Sequence, residues 1–350
     1  AASDVYKRQI KENVTTCREY GFSFQQGNIE DLYEKLDKIL RMPAEQVRLI
    51  GEAGCQYVKD TYRWENVTEK TEKVYEKVRT IGKAEEQRKI ILERQEAFKK
   101  RFGVALPFDI CTILGVHILV ADMDRMVKFV EENISKLSGE YVCVSNGHTT
   151  VMAYENEEYL RIQNSAVLNF PDGEPLSIVS RKRGFKDARR VTGPDFMEQM
   201  FIKGREGDGL RHFFYGGSQD TLDALEKVLD EKYNGIQIAG MYSPPYRPLT
   251  EEEDREIIRM INEAQADIIW VGLGAPKQEK WMYDHHGKLG GLMFGVGAGF
   301  DYHAGKLKRA PKWMQRISME WFARLLQDPK RLWKRYLVTV SYTHLRAHET

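Results

Sequence analysis

Short apolar runs alternate with stretches of helical periodicity between residue 101 and about residue 340. This alternation predicts an α/β fold, a Rossmann-like parallel sheet covered by helices on both faces. The predicted strands are the apolar runs at 141–145, 166–170, 211–215, 236–241, 267–271 and 291–295. Helices are predicted between them, at about 148–164, 192–203, 218–232, 250–264 and 276–287. Because ligands bind beyond the carboxyl ends of such strands, the loops that leave them are expected to form the site.

The pattern of residues 11–80 is different and predicts a short strand followed by helices, a mostly helical N-terminal fragment. Asn28 is predicted to cap a helix that runs through Leu40, because its side chain can accept from a free backbone N–H group. Pro43 is predicted to start a second helix. A third helix is expected at about 64–78.

Three further segments follow neither pattern. Residues 81–101 are a charged helical or linker run, interpreted most simply as a solvated connection. The two ends, 1–10 and 341–350, fit no adjoining periodicity and resemble translated adaptor sequence. We therefore leave these ends out of the fold prediction.

Composition narrows the class of protein. Hydrophobic residues make up 42% of the chain and charged residues 30%, which is ordinary for a globular protein. The cysteines, Cys17, Cys55, Cys111 and Cys143, have no paired spacing, which argues against a disulfide framework or a zinc site. No unbroken apolar run approaches the ~20 residues of a membrane span. These features predict a cytoplasmic protein.

Positive charge is concentrated near the C-terminus. The net charge of the chain is +1, yet residues 305–336 contain ten Lys or Arg and two acidic residues, a net charge of +8. Trp313, Ile317, Trp321 and Leu325 are spaced by four and form one apolar stripe. Tryptophan on a basic amphipathic helix is typical of contact with a membrane surface. We predict a basic helical appendage that binds the membrane rather than nucleic acid; a helix packed on its own domain is the alternative.

Two of the predicted loops offer polar side chains. Asn146 follows the first strand, where it could cap the next helix or bind a sugar or nucleotide. Asp172 lies in the turn sequence PDG at 171–173. Such turns are common, but this one leaves a buried strand, so Asp172 would lie in the crevice. A carboxylate there can accept the proton of an attacking hydroxyl group.

Other loops favour an anionic ligand. The segment 190–195, which includes the candidate binding residue Gly193, opens a helix with Thr192 or Asp195 near its cap, and Arg190 just before the helix adds charge to an anion site. Small residues in a turn let backbone N–H groups approach a diphosphate, as at Gly216 and Gly217. The first turn after Pro276 carries Lys277 and Gln278. A cation opposes the helix dipole in that position unless it serves an anion.

The remaining motifs concern binding of the uracil base, a metal ion or a dinucleotide. Tyr242 and Tyr246 lie where a strand meets a proline-rich turn and could stack on uracil, or be ordinary surface aromatics. The DxD sequence at 122–124 is interpreted as a helix cap, so no metal or cofactor is predicted and cations and backbone dipoles would hold the diphosphate. Residues 295–301 look like a dinucleotide motif but lack its third glycine.

Together these loops resemble the WecG/TagA/CpsF family, glycosyltransferase family 26. The shared motifs, in family order, are VSN (144–146), PDG (171–173), RVTG (190–193), FYGG (214–217), GLGAPKQE (272–279), GAGFDYHAG (297–305), RAPKW (309–313) and EWFARLLQDPKRLWKRY (320–336). The resemblance implies a catalytic domain at 102–304 and an acceptor-binding appendage at 305–340. Val144 departs from the threonine that members often carry, which leaves the identity of the sugar open.

Members are metal-independent inverting enzymes that need no cofactor. They transfer N-acetylmannosamine or a related sugar from a UDP-sugar donor to a polyprenyl-diphosphate-linked sugar, in cell-surface polysaccharide or teichoic acid synthesis. The resemblance therefore implies that Asp172 is the general base. It assigns Asn146, Arg190 and Gln278 to donor or acceptor contacts. On a tail that closes over the site, it assigns the lipid diphosphate to Arg324, Arg331, Lys334 and Arg335. A peripheral location at the inner face of the plasma membrane follows.

Residues 11–80 carry a second resemblance, to the C-terminal tail of retaining GT-B glycosyltransferases. The donor-binding residues of such an enzyme would lie upstream, so the resemblance implies a catalytically inactive remnant. Two other functions are kept: a non-catalytic UDP-binding scaffold at the membrane, and an NAD-dependent oxidoreductase that acts on nucleotide sugars. A homo-oligomer is compatible with the sequence, which does not decide the oligomeric state.

Overall fold

The computed structural model describes residues 28–61, 84–207 and 209–310 of the 350-residue chain. The chain divides into two compact units, Ala1–Arg79 and Thr80–Thr350, which we describe separately. Several predictions lie outside the described residues: the short N-terminal strand, the helix at 64–78, and the tail with Arg324, Arg331, Lys334 and Arg335.

The described part of the first unit is a pair of helices, α1 (Ile29–Arg41) and α2 (Ala44–Thr61). The side chain of Asn28 caps α1 by accepting from the backbone N–H of Asp31 at 3.0 Å, and Pro43 immediately precedes α2. Both helix starts are thus confirmed. The interpretation of this segment as a remnant of another enzyme stays a prediction.

The second unit begins with a helix, a hairpin and another helix. These are α3 (Ala84–Phe102), the antiparallel strands β1 (Asp109–Ile113) and β2 (Val116–Val120), and α4 (Met123–Asn133). Asp122 caps α4 by accepting from the N–H of Arg125 at 2.9 Å, which confirms the capping interpretation of the DxD sequence.

Helix α3 corrects the expectation of a solvated connection at 81–101. Its Phe98 is buried in the same core as Phe108 of the second unit. The side chain of Gln87 donates to the carbonyl of Ile110 at 2.8 Å and accepts from the N–H of Thr112 at 2.9 Å. The polar side chains on the inner face of α3 therefore satisfy backbone groups of the hairpin instead of facing water. Where one domain ends and the next begins stays a prediction.

Six strands form one parallel sheet in the order β4-β3-β8-β7-β5-β6. They are β3 (Tyr141–Ser145), β4 (Leu168–Pro171), β5 (Arg211–Gly216), β6 (Gln237–Tyr242), β7 (Ile268–Gly272) and β8 (Leu292–Gly295). Each predicted strand is present, within two residues of its predicted bounds. Because all six run parallel, their carboxyl ends lie at one edge of the sheet.

Helices cover both faces of this sheet. They are α5 (Gly147–Glu155), α6 (Glu157–Ser165), α7 (Glu174–Lys182), α8 (Gly193–Glu206), α9 (Gln219–Lys232), α10 (Glu251–Glu263), α11 (Lys277–His285) and α12 (Gly299–His303). The helix predicted at 148–164 is two helices, since Asn156 caps α6 by accepting from the N–H of Tyr159 at 2.9 Å. Buried apolar clusters lie on each face, one containing Trp270 and the other Tyr141. The α/β fold is confirmed. Within the described residues, no helix has both the length and the apolar character of a membrane span.

Arg94 of α3 joins this helix to the end of α6, and its loss should destabilise the unit. Its guanidinium group donates to the carbonyls of Asn164 at 2.8 Å and Ala166 at 2.5 Å. We expect Arg94→Met to lower the free energy of unfolding by about 2–4 kcal/mol, because a buried carbonyl that loses its donor costs about 1–3 kcal/mol. Urea unfolding measures this. Arg88→Met, an exposed arginine on the same helix, is the control; equal effects of the two variants would contradict the role of Arg94.

Candidate active site

Asn146 and Asp172 lie side by side where β3 and β4 end. The Nδ2 atom of Asn146 donates to Oδ2 of Asp172 at 3.5 Å. The Oδ1 atom of the same asparagine caps α5, accepting from the N–H groups of His148 at 3.1 Å and Thr149 at 3.2 Å. The capping interpretation of Asn146 is therefore confirmed, while its contact with a sugar or nucleotide stays a prediction. One end of the amide fixes the helix, and the other end faces the half-buried carboxyl group of Asp172.

The segment 190–193 crosses the ends of three neighbouring strands. The N–H of Val191 donates to the carbonyl of Pro171, the residue before Asp172, at 2.9 Å. A Cβ atom on Gly193 would lie 3.5 Å from Cγ1 of Val144 in β3 and 3.6 Å from Cα of Val296, which follows β8. Arg190 is half-buried at the start of this crossing. Its position next to the Asp172 turn is therefore set by backbone contacts.

An ion pair that the sequence did not predict joins this segment to the basic region. Arg309 lies 2.5 Å from Asp195 in the first turn of α8, whose N-cap is Thr192. Burial acts to raise the pKa of Asp195, but hydrogen bonds from Thr192 and Arg309 outweigh it and hold the pKa below its ordinary value. The carboxylate therefore remains charged and anchors Arg309. Arg309 belongs to the motif RAPKW and Asp195 closely follows the motif RVTG, but the sequence does not show that the two side chains pair.

The glycine turn after β5 packs backbone against backbone. Gly216 has a φ of 117°, and a Cβ atom there would lie 2.7 Å from the carbonyl carbon of Gly272 in β7. Gly217, with a φ of 72°, donates to the carbonyl of Gly272 at 3.2 Å. Ser218 then caps α9. This close approach leaves no room for a side chain at Gly216. Because the turn is short, α9 begins directly at the sheet edge.

Tyr246 and Lys277 come together from different loops. Tyr246 follows β6 and is fully exposed, and Nζ of Lys277, the first residue of α11, lies 5.0 Å from its ring centroid. A cation over an aromatic face is attracted by the ring quadrupole. The sequence predicted each residue as a separate ligand contact, and the structure places them in one pair with an open ring face.

Gln278 is buried between two loops, 4% exposed. Its Oε1 atom accepts from the N–H groups of Gly274, after β7, at 3.1 Å and Gly297, after β8, at 3.0 Å. Its Nε2 atom donates to Glu279 at 2.8 Å. The side chain therefore joins the loop after β7 to the loop after β8. At the sheet edge these loops lie between the Asp172 turn and the turn at Gly216.

Asp301 is a residue of the sheet edge to which the sequence analysis assigned no role. Its Oδ1 atom accepts from the hydroxyl of Thr221 in α9 at 3.2 Å, so a carboxyl group lies beside the start of that helix. The motif GAGFDYHAG contains it, but no spacing in the sequence pairs it with α9. Within the described ranges, no three His, Cys, Asp or Glu side chains are grouped so as to hold a metal ion.

Comparison with known proteins identifies the family. A family model for the WecG/TagA/CpsF glycosyl transferases matches residues 111–349. The N-acetylglucosaminyldiphosphoundecaprenol N-acetyl-beta-D-mannosaminyltransferase of Bacillus subtilis is 29% identical over 235 residues, 66% of this chain and 88% of the relative. Enzymes of the same name from Bacillus spizizenii and Staphylococcus aureus are 30% and 27% identical, over 60% and 63% of this chain and 80% and 85% of the relatives. The chain belongs to the WecG/TagA/CpsF family and is a glycosyltransferase.

Proposed function

We propose that this chain transfers an N-acetylmannosamine-type sugar from a UDP-sugar to a polyprenyl-diphosphate-linked N-acetylglucosamine. The observation that carries the proposal is the position of Asp172, half-buried at the same sheet edge as the glycine turn and Lys277. A base and an anion-binding surface at one edge are what transfer from a nucleotide sugar requires. The names of the three relatives supply the acceptor and the sugar.

The step is a direct displacement at the anomeric carbon. Asp172 accepts the proton of the acceptor hydroxyl group, whose oxygen forms a bond to the anomeric carbon. The bond from that carbon to the diphosphate oxygen breaks, and UDP leaves with the electron pair. The relatives' name specifies a β-D-mannosaminyl product. From an α-linked donor such a product requires inversion, so one carboxyl group acting as base is sufficient.

The leaving diphosphate is stabilised without a metal in this proposal. The N-terminus of α9, exposed by the turn at Gly216 and Gly217, presents the positive end of a helix dipole. Lys277 adds a full charge from the first turn of α11. The exposed ring of Tyr246 offers a face on which uracil can stack. The ammonium group of Lys277, next to this ring, would bind the phosphate groups.

The basic appendage completes the proposal. We assign Arg324, Arg331, Lys334 and Arg335 to the diphosphate of the lipid acceptor, at the inner face of the membrane. The support is the charge of +8 in residues 305–336 and the ion pair that holds Arg309 to Asp195 beside the 190–193 segment. The start of the appendage is therefore held at the N-terminus of α8, next to the strand ends.

The test is transfer by the purified chain, followed by mass spectrometry. UDP-N-acetylmannosamine and a polyprenyl-diphosphate N-acetylglucosamine analogue should give a product heavier by one N-acetylhexosamine residue, with EDTA present. UDP binding without transfer would overturn the proposal in favour of the scaffold. NADH binding, measured by fluorescence quenching, together with no transfer would favour the oxidoreductase instead.

A further inference from the structure

Glu279 is a buried carboxyl group next to a residue of the proposed site. It lies in the first turn of α11 and is 1% exposed. Its Oε1 atom accepts from Nε2 of Gln278 at 2.8 Å. The hydroxyl group of Tyr159 in α6 lies near this carboxyl group: burial raises the pKa of Tyr159, and Glu279 raises it further, so the hydroxyl group keeps its proton.

Hydrogen bonds also join Tyr159 to β3, the strand that ends beside the Asp172 turn. Nε2 of Gln163 donates to the Tyr159 oxygen at 2.9 Å, and the hydroxyl of Ser145 donates to Oε1 of Gln163 at 2.6 Å. Ser145 is the last residue of β3 and also accepts, through its carbonyl, from the N–H of Asp172 at 2.7 Å. A chain of hydrogen bonds therefore links Tyr159, the neighbour of Glu279, to the position of Asp172.

The carboxyl group also decides which way the Gln278 amide points. A glutamine amide has one accepting end and one donating end. Because the carboxyl oxygen of Glu279 takes the donating end, the accepting end faces the N–H groups of Gly274 and Gly297. A reversed amide would set its NH2 group against two other donors. In a buried network, such a mismatch costs as much as the bonds it replaces.

We propose that Glu279 is a positioning residue, which orients Gln278 and thereby holds the loops at Gly274 and Gly297 at the spacing that the nucleotide sugar needs. Gly274 belongs to the loop that leads to Lys277, and Gly297 to the loop beyond β8, which adjoins β3. The part of this proposal that concerns the nucleotide sugar rests on the proposed function. The part that concerns the loops does not.

Glu279→Met tests the proposal, because methionine has a similar size and cannot accept the Gln278 N–H. Amide hydrogen exchange at Gly274 and Gly297 in the ligand-free protein should accelerate about tenfold, as expected for loss of one buried hydrogen bond. The KM for the UDP-sugar should rise about tenfold, with kcat within about twofold of wild type. Glu279→Gln should restore both values to near wild type, since its amide oxygen can accept the same N–H.

Two further variants separate positioning from stability. Tyr159→Phe removes the hydroxyl group near Glu279 and should shift exchange and KM in the same direction by a smaller factor; it serves if Glu279→Met does not fold. Leu289→Ala truncates the core on the same sheet face and should leave the KM for the donor unchanged. The proposal is overturned if Leu289→Ala reproduces the Glu279→Met pattern, if Glu279→Gln is as impaired as Glu279→Met, or if wild-type exchange persists in Glu279→Met. A wild-type chain without transferase activity would remove the proposed function, and exchange would still decide the role of Glu279.

Discussion

Asp172→Asn should lower the rate of sugar transfer by about 100- to 10,000-fold, the usual contribution of a general base. Asparagine has the same shape as aspartate but cannot accept a proton from the acceptor hydroxyl group. The backbone contact that sets the turn, from the N–H of residue 172 to the carbonyl of Ser145 at 2.7 Å, does not depend on the side chain. UDP affinity by calorimetry and the free energy of unfolding should therefore remain close to wild type.

The matched control for this variant is Asp187→Asn, an exposed aspartate in the loop between α7 and α8. It makes the same chemical change away from the strand ends, and its transfer rate should equal that of wild type. If Asp172→Asn retained full activity, Asp172 would not be the base. If it lost UDP binding together with activity, its role would be to hold the site together rather than to accept a proton.

Asn146→Asp should make transfer strongly dependent on pH. The substituted side chain still caps α5 through Oδ1, but it sets a second carboxyl group where Nδ2 now donates to Asp172 at 3.5 Å. Two like charges at that distance disfavour each other's ionisation. Because the base works only when it is deprotonated, the acid limb of the kcat/KM profile should move to higher pH. At the acid end of the profile the loss should be on the order of tenfold or more.

The control, Asn146→Ser, keeps a good helix cap and adds no charge. It removes the amide that donates to Asp172, so it should move the acid limb to higher pH by less than Asn146→Asp does. A wild-type profile in Asn146→Asp would mean that residue 146 does not act on the base. Equal profiles in the two variants would mean that only the amide contact matters, and not the charge beside Asp172.

The strands of the sheet could be predicted because each appears as an apolar run between helical segments, and all but the partly exposed edge strand β6 are buried on both faces. Their order could not, because β8 lies between β3 and β7 through contacts that no local pattern records. The hairpin β1/β2 was missed because its turn is Leu114-Gly115, both at positive φ. Leucine rarely adopts this backbone, so the turn lacks the usual Asn-Gly or Asp-Gly signal.

A site residue could be predicted where its position after a strand was sufficient to place it at the carboxyl edge of the sheet. Asp172 follows a strand, and its position at the carboxyl edge follows from the parallel sheet. Contacts between distant segments were not predictable, as with Asp195 and Arg309, or with Gln278 and the N–H of Gly297. Charge alone also misled: most charged side chains of α3 are exposed, but Gln87 on its inner face binds backbone groups of the hairpin.

The central claim is that a UDP-sugar lies along the carboxyl edge of the sheet with its reactive carbon facing Asp172. A crystal structure of the protein with UDP bound tests it most directly. The account predicts the diphosphate at the N-terminus of α9 and near Lys277, the uracil against Tyr246, and open space between the β-phosphate and the Asp172 carboxyl group for the sugar. UDP bound on another face of the unit, or at this edge with its β-phosphate directed away from Asp172, would contradict it.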